Sequence, residues 1–185
     1  MQRQPRSLKS RALQLLAQRD QSRRELRRKL LRHVQSAASA AGSSDRSDDA
    51  GGEPDARSAA ASDEVEVLLG WLESNGLLSS ERFVESRIHA RQSRFGNLRI
   101  RSELAQHALA VPGELAQALD ESEWARAVAV QARRFAGAPG DAAERARQSR
   151  FLLGRGFSPE LVRRLMRELG RAGVAAVASE RGEPA

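Results

Sequence analysis

Two stretches of the chain fall into one frame when Pro112 is set against Pro159. Leu115 then meets Val162, Ala118 meets Leu165 and Leu119 meets Met166. Carried to the first third, the frame picks out Val65, Leu68 and Leu69, with Leu72 opposite Leu169. An arginine-bearing helical stretch precedes each of the three: SRRELRRKLL, NLRIRSELAQ and AERARQSRFLL. A three-helix unit of about 40 residues therefore repeats three times once an interruption is set aside. Units of that size bury little alone and gain stability by stacking on neighbours. The expected fold class is all-α, with three tandem three-helix repeats stacked into an elongated, curved array.

The local signals agree with nine helices. Leu8, Ala12, Leu15 and Leu16 share one helical face. Ser22 with Glu25 three residues on has the form of a capping box, and the helix it opens buries Leu26 and Leu30. Val65, Leu68, Leu69 and Leu72 form the stripe of a third helix, which Gly76 ends in a left-handed C-cap. A fourth helix carries Phe83, Val84 and Ile88, and a fifth carries Leu98, Ile100 and Leu104. Pro112 opens a short sixth with Leu115 and Leu119. A seventh, Glu121 to Phe135, turns Trp124, Val128, Ala132 and Phe135 inward. Asp141 caps the eighth, and Ser158-Pro159 opens a ninth. No stretch alternates as a half-buried strand would.

The interruption is the run SAASAAGSSDRSDDAGGEPDARSAAAS, which lacks any large apolar residue. It cannot offset its ordering entropy by burial, so a disordered acidic insertion is expected over about 35–62. The repeats are then expected at 1–78, 79–120 and 121–170, with a flexible tail over 171–185.

Charge is unevenly placed. Residues 1–34 carry a net +9, residues 35–63 a net −4, and the whole chain +7. Lys9 and Lys29 are the only lysines. A basic head suits a polyanionic partner, nucleic acid or an acidic protein surface. Cysteine is absent, which excludes disulfides and thiolate metal sites. No apolar run reaches the length of a membrane span, and the N-terminus does not read as a signal peptide. No membrane association and a cytoplasmic location are expected.

Nothing has the spacing of a catalytic, metal or cofactor site. His33, His89 and His107 lack His-Glu-x-x-His spacing. Glu81 and Glu85 read as a solvated helical face. Gly154-x-Gly156 lacks the Lys and Ser of a phosphate loop. Trp71 and Trp124 read as packing residues. The functional candidates are cations: Arg11, Arg23, Arg24, Arg27, Arg28 and Lys29 in the first repeat, Arg99 and Arg101 in the second, and Arg145, Arg147 and Arg150 in the third. Regular stacking would align these groups into a stripe able to meet phosphates or acidic side chains.

Several motifs together carry a family resemblance. SLKSRALQLLAQRDQSRRELRRKLLRH resembles the opening of RecX regulatory proteins, VEVLLGWLESNGLLSSERFVESRIHAR their next block, FGNLRIRSELAQHAL the block after, and FLLGRGFSPELVRRLM their last repeat. The similarity covers nearly the whole chain outside 34–62 and the tail. Two links depart from it. The acidic insertion replaces the short Gly-Phe-type link of the first repeat, and ALAVPG lacks the Gly-Phe pair visible at Gly156-Phe157. The resemblance implies a non-enzymatic regulator, expected to be monomeric, that sits in the groove of the RecA–DNA filament. Such a regulator limits filament growth and slows ATP hydrolysis and strand exchange, within recombination, DNA repair and the SOS response. DNA would be a weaker contact, or one made within the filament. The alternative is a basic helical protein that binds DNA independently of RecA.

Overall fold

Ser7 begins the first helix, its Oγ accepting the Ser10 N–H at 3.2 Å. Ser22 does the same for Glu25 at 3.1 Å. The structure, a computed structural model, describes the backbone of residues 7–42 and 54–180 and the side chains of 7–39 and 58–172. Its helices are α1 (Leu8–Gln18), α2 (Arg23–Gly42), α3 (Pro54–Ser74), α4 (Ser80–Gln92), α5 (Asn97–Ala105), α6 (Gly113–Arg134), α7 (Ala142–Gly154) and α8 (Pro159–Glu180). No strand occurs among the described residues. Residue contacts divide the chain into two units after Ser86.

In the first unit, α1, α2 and α3 close around Ala12, Leu15, Leu26, Leu30, Val65, Leu69, Leu72 and Leu78. The expected stripe of α3 is thus the one buried. Gly76 takes a φ of 66°, and the N–H groups of Leu77 and Leu78 both return to the Leu72 carbonyl, at 2.9 and 3.1 Å. This reversal satisfies the end of α3 and folds Leu78 back into the core.

In the second unit, Ala127 and Val130 of α6 pack with Leu152 of α7, Phe157, and Val162, Leu165 and Met166 of α8. Ile100 and Leu104 of α5 are also buried. Two glycines join the start of α5 to the α7–α8 turn. The Gly96 N–H donates to the Arg155 carbonyl at 3.0 Å, and the Leu98 N–H donates to the Gly156 carbonyl at 3.0 Å. A Cβ on Gly96 would stand 2.3 Å from the Gly156 oxygen. Gly96 has a φ of −79°, open to any residue, so the requirement there is space.

Buried polar groups are matched around Arg126. Its guanidinium donates to the carbonyls of Gln92 (3.2 Å), Phe95 (2.8 Å) and Leu119 (2.8 Å) and to Asn97 Oδ1 (2.5 Å). The Asn97 N–H donates to Glu123 at 2.8 Å, and its amide nitrogen to Asp120 at 2.6 Å. One cation thereby ties the end of α4 and the start of α5 to α6.

Several expectations are corrected. The sixth and seventh helices are one, α6, so eight helices replace nine. The run from Gly113 to Arg134 has no Gly or Pro inside it, and Asp120 and Glu123 are held by Arg101, Asn97 and Arg126 rather than starting a new helix. Continuity also resets the inward face. Ala127, Val130 and Gln131 are buried, whereas Val128 is 37% exposed and Ala132 is exposed. Leu98, expected on the inner face of α5, is 51% exposed.

Helix also enters both flanks of the expected insertion, since α2 runs to Gly42 and α3 starts at Pro54. Runs of alanine form helix without needing burial. The rest of that segment, 43–53, lies outside the described residues. Likewise α8 continues past Gly170 to Glu180 through another alanine-rich stretch, and 181–185 of the expected tail lies outside them.

Candidate functional site

The cations of the first unit do not face outward as one patch. Glu66 of α3 accepts from Arg23 at 2.7 Å and from Arg27, while Arg23 also reaches Glu73. Arg27 donates further to Ser62 at 3.1 Å. Hydrogen bonds from Arg27 and Arg23 hold the Glu66 carboxyl below the usual range. The bond to Glu66 raises Arg23 in turn. Lys29 turns back to Glu25 (3.0 Å) and Gln21 (2.8 Å). Burial pushes the Glu25 carboxyl up, but bonds from Arg19 and Lys29 outweigh it and hold the group low. Arg11 donates to Gln14 at 3.0 Å. Arg24 and Arg28 are the exposed members of the cluster.

In the second unit Arg101 grips both oxygens of Asp120, at 2.8 and 2.9 Å. Arg99 lies 3.8 Å from Glu103, which Arg91 bonds at 3.0 Å. The guanidinium of Arg99 also stands 5.2 Å from the Phe95 ring centre. Arg91, Arg94 and Arg155 surround the same ring at 5.7, 5.6 and 5.5 Å. Sequence reasoning missed these three: Arg91 and Arg94 are local to Phe95 but went unread, and 60 residues separate Arg155 from it. A cleft of about 640 Å³ opens beside them, lined by Arg87, Arg91, Arg99 and the exposed side chains of Leu98 and Leu153. Arginine is among the residues enriched at protein–protein interfaces.

Arg147 pairs with Glu144 at 2.8 Å, and that bond holds the Glu144 carboxyl low. Arg150 and Arg145 are exposed. Arg145 lines a second cleft, of about 500 Å³ between α7 and α8, with Arg163, Arg167 and Arg171. These three arginines also went unread, although their spacing of four on one helix was visible. Of the eleven predicted cations, Arg23, Arg27, Lys29, Arg99, Arg101 and Arg147 at least meet acids of the same chain among the described residues.

Lys9 stands 3.6 Å over Trp71, and Arg164 stands 4.4 Å over Trp124, so both indoles carry a cation on one face. Among the described residues no group of His, Asp or Glu could hold a metal ion, and no helix is long and apolar enough to cross a membrane.

Residues 120–166 match the sequence pattern of the third three-helix domain of RecX. Over 89% of both chains, the sequence is 45% identical to regulatory protein RecX of Ralstonia nicotianae. The chain belongs to the RecX family. It is also 40% identical to regulatory protein RecX of Herbaspirillum seropedicae, covering 88% of this chain and 91% of that one. With regulatory protein RecX of Pseudomonas putida it shares 38% identity over 88% of this chain and 90% of the other. The RecX third-domain match begins at Asp120, inside α6, and ends at Met166 in α8. It thus contains Arg145 and the first of the unread arginines, Arg163, while Arg167 and Arg171 follow on the same helix.

Proposed function

We propose that this chain is a non-enzymatic regulator of the RecA recombinase, binding the RecA–DNA filament and mainly inhibiting its growth, ATP hydrolysis and strand exchange. The observation that carries this reading is its likeness, over about nine-tenths of its length, to proteins named regulatory protein RecX. The reading extends to a cytoplasmic monomer that needs no cofactor, acting in recombination, DNA repair and the SOS response. Its organisation is three repeats, 1–78, 79–120 and 121–170, with the second boundary inside α6.

The cleft beside Phe95 supports a protein partner. Arg91 and Arg99 line it, Arg94 and Arg155 stand with them around the Phe95 ring, and Leu98 and Leu153 present exposed aliphatic surface. An acidic protein surface with an apolar anchor is complementary to both features. Arg24 and Arg28 on α2 and Arg150 on α7 are exposed and are further candidate contacts of the filament, each within its own unit.

The test is RecA ATP hydrolysis on single-stranded DNA, titrated with this protein. Hydrolysis should fall at protein concentrations too low to coat the free DNA. Hydrolysis unaffected until the DNA is saturated by this chain would reject the RecA reading in favour of plain DNA coating.

A further inference from the structure

Arg163, Arg167 and Arg171 stand four residues apart on α8, so they share one face of the helix. Arg145 reaches the same cleft from α7. None of the four forms an ion pair with another described residue. On the same helix Arg164 does, donating to Glu168 at 2.9 Å and standing over Trp124. Like charges at this spacing repel and weaken a helix, so three in a row are a standing cost of the folded chain. Packing does not explain them, because all four are exposed.

The cleft floor is Met166, and Gly170 leaves the wall open where a Cβ would approach the Arg145 guanidinium to 3.8 Å. Ser149 adds a hydroxyl. The positive row has a fixed pitch: four residues of helix rise about 6 Å, so three arginines span about 12 Å in equal steps. A chain charged at every unit matches such a row better than the irregular carboxylates of a protein surface. We infer that the α7–α8 cleft binds the phosphate backbone of DNA through Arg145, Arg163, Arg167 and Arg171. No aromatic ring lines it, so it has no platform on which a base could stack, and it holds DNA without sequence preference.

The experiment measures binding of the full chain alone to a labelled 30-nucleotide single strand and to its duplex, at about 50 and 200 mM salt. The variant Arg163→Gln/Arg167→Gln/Arg171→Gln should bind the single strand at least about tenfold more weakly at low salt. Its log–log salt slope should shrink by about two units, at about 0.7 per lost contact. Arg32→Gln/Arg133→Gln/Arg134→Gln removes equal charge at exposed positions outside the cleft and should change affinity less than about threefold. Circular dichroism should show both variants as helical as the parent. Equal weakening by both variants would mean that net charge alone holds the DNA, and would overturn the inference. So would an unchanged slope in the α8 variant, or loss of affinity by that variant for poly-glutamate but not for DNA. Binding to strand and duplex alike supports a backbone site, whereas binding that depends on base composition rejects it. DNA binding and the effect on RecA hydrolysis are separate readouts, so either can fail without the other.

Discussion

Glu66 joins α3 to Arg23 of α2 at 2.7 Å, and the same carboxylate takes a second bond from Arg27. The basic face of α2 therefore carries its own counter-charge, supplied from a helix more than thirty residues away in the chain.

This arrangement has a signed pH dependence. The folded-state pKa of Glu66 is depressed below 4.5, so its contribution is present above that value and lost as pH falls through the folded one. Its side chain is 39% exposed, which limits the contribution to about 0.5 kcal/mol. Urea melts of Glu66→Gln should show a loss of that size at pH 7. The difference from the parent should shrink towards nothing as the pH drops well below 4.5.

Charge reversal distinguishes the two sides of α2. Arg24→Glu/Arg28→Glu alters exposed positions and should melt within about 0.5 kcal/mol of the parent. Arg23→Glu/Arg27→Glu places carboxylates against Glu66 and Glu73 and should cost about 1–2 kcal/mol. If both pairs melt alike, the α2–α3 ion pairs have no energetic role.

Gly96→Ala should destabilise the second unit by about 1–3 kcal/mol, because its methyl would meet the Gly156 carbonyl at 2.3 Å. Denaturant midpoints measure this directly. An alanine variant as stable as the parent would show that the α5 start and the α7–α8 turn can separate freely.

Arg126→Met keeps the length of the side chain but removes the guanidinium bonds to the carbonyls of Gln92 and Phe95 and to Asn97 Oδ1, while the Leu119 carbonyl keeps its bonds from Asn97 and Ser122. Loss of a part-buried cation with this many acceptors should cost about 3 kcal/mol. Arg126→Lys should recover little of it, since an ammonium cannot reach acceptors spread along a planar fork. Full rescue by lysine would show that charge rather than geometry matters.

Leu98→Asp/Leu153→Asp tests the proposed protein contact. These side chains are 51% and 42% exposed, so the fold should tolerate the change. Half-inhibition of RecA ATP hydrolysis should need at least about tenfold more protein, as expected for loss of an interface anchor. Undiminished inhibition by the stable variant would remove this cleft from the RecA surface.

The apolar spacing made much of the core legible. Val65, Leu69 and Leu72 were read from their period, and Ser22 and Asp141 from their position before helical runs; both cap as expected. Gly76 likewise takes the left-handed conformation. The union of two helices in α6 was not legible, because Asp120–Glu123 has the composition of a helix start and its tertiary partners Arg101, Asn97 and Arg126 are distant or out of phase. The site was harder still. A run of arginines looks unpaired in sequence whenever its acids come from another helix, as Glu66 does for Arg23 and Arg27. The reverse error concealed Arg163, Arg167 and Arg171. They lie among Val162, Leu165 and Met166, whose apolar period drew the reading, and the missing counter-charge became visible only once α7 lay alongside.

The main-chain bonds between Gly96 and the Arg155–Gly156 turn bear on how such a chain can change length. In tandem arrays each unit contacts only its neighbours, so length can change by whole units wherever the interface is repeated. Here two backbones meet with no room for a Cβ between them. A unit inserted at this junction would have to bring a matching glycine pair in the same register, so the order of the last two repeats is fixed at the level of the polypeptide rather than of its side chains.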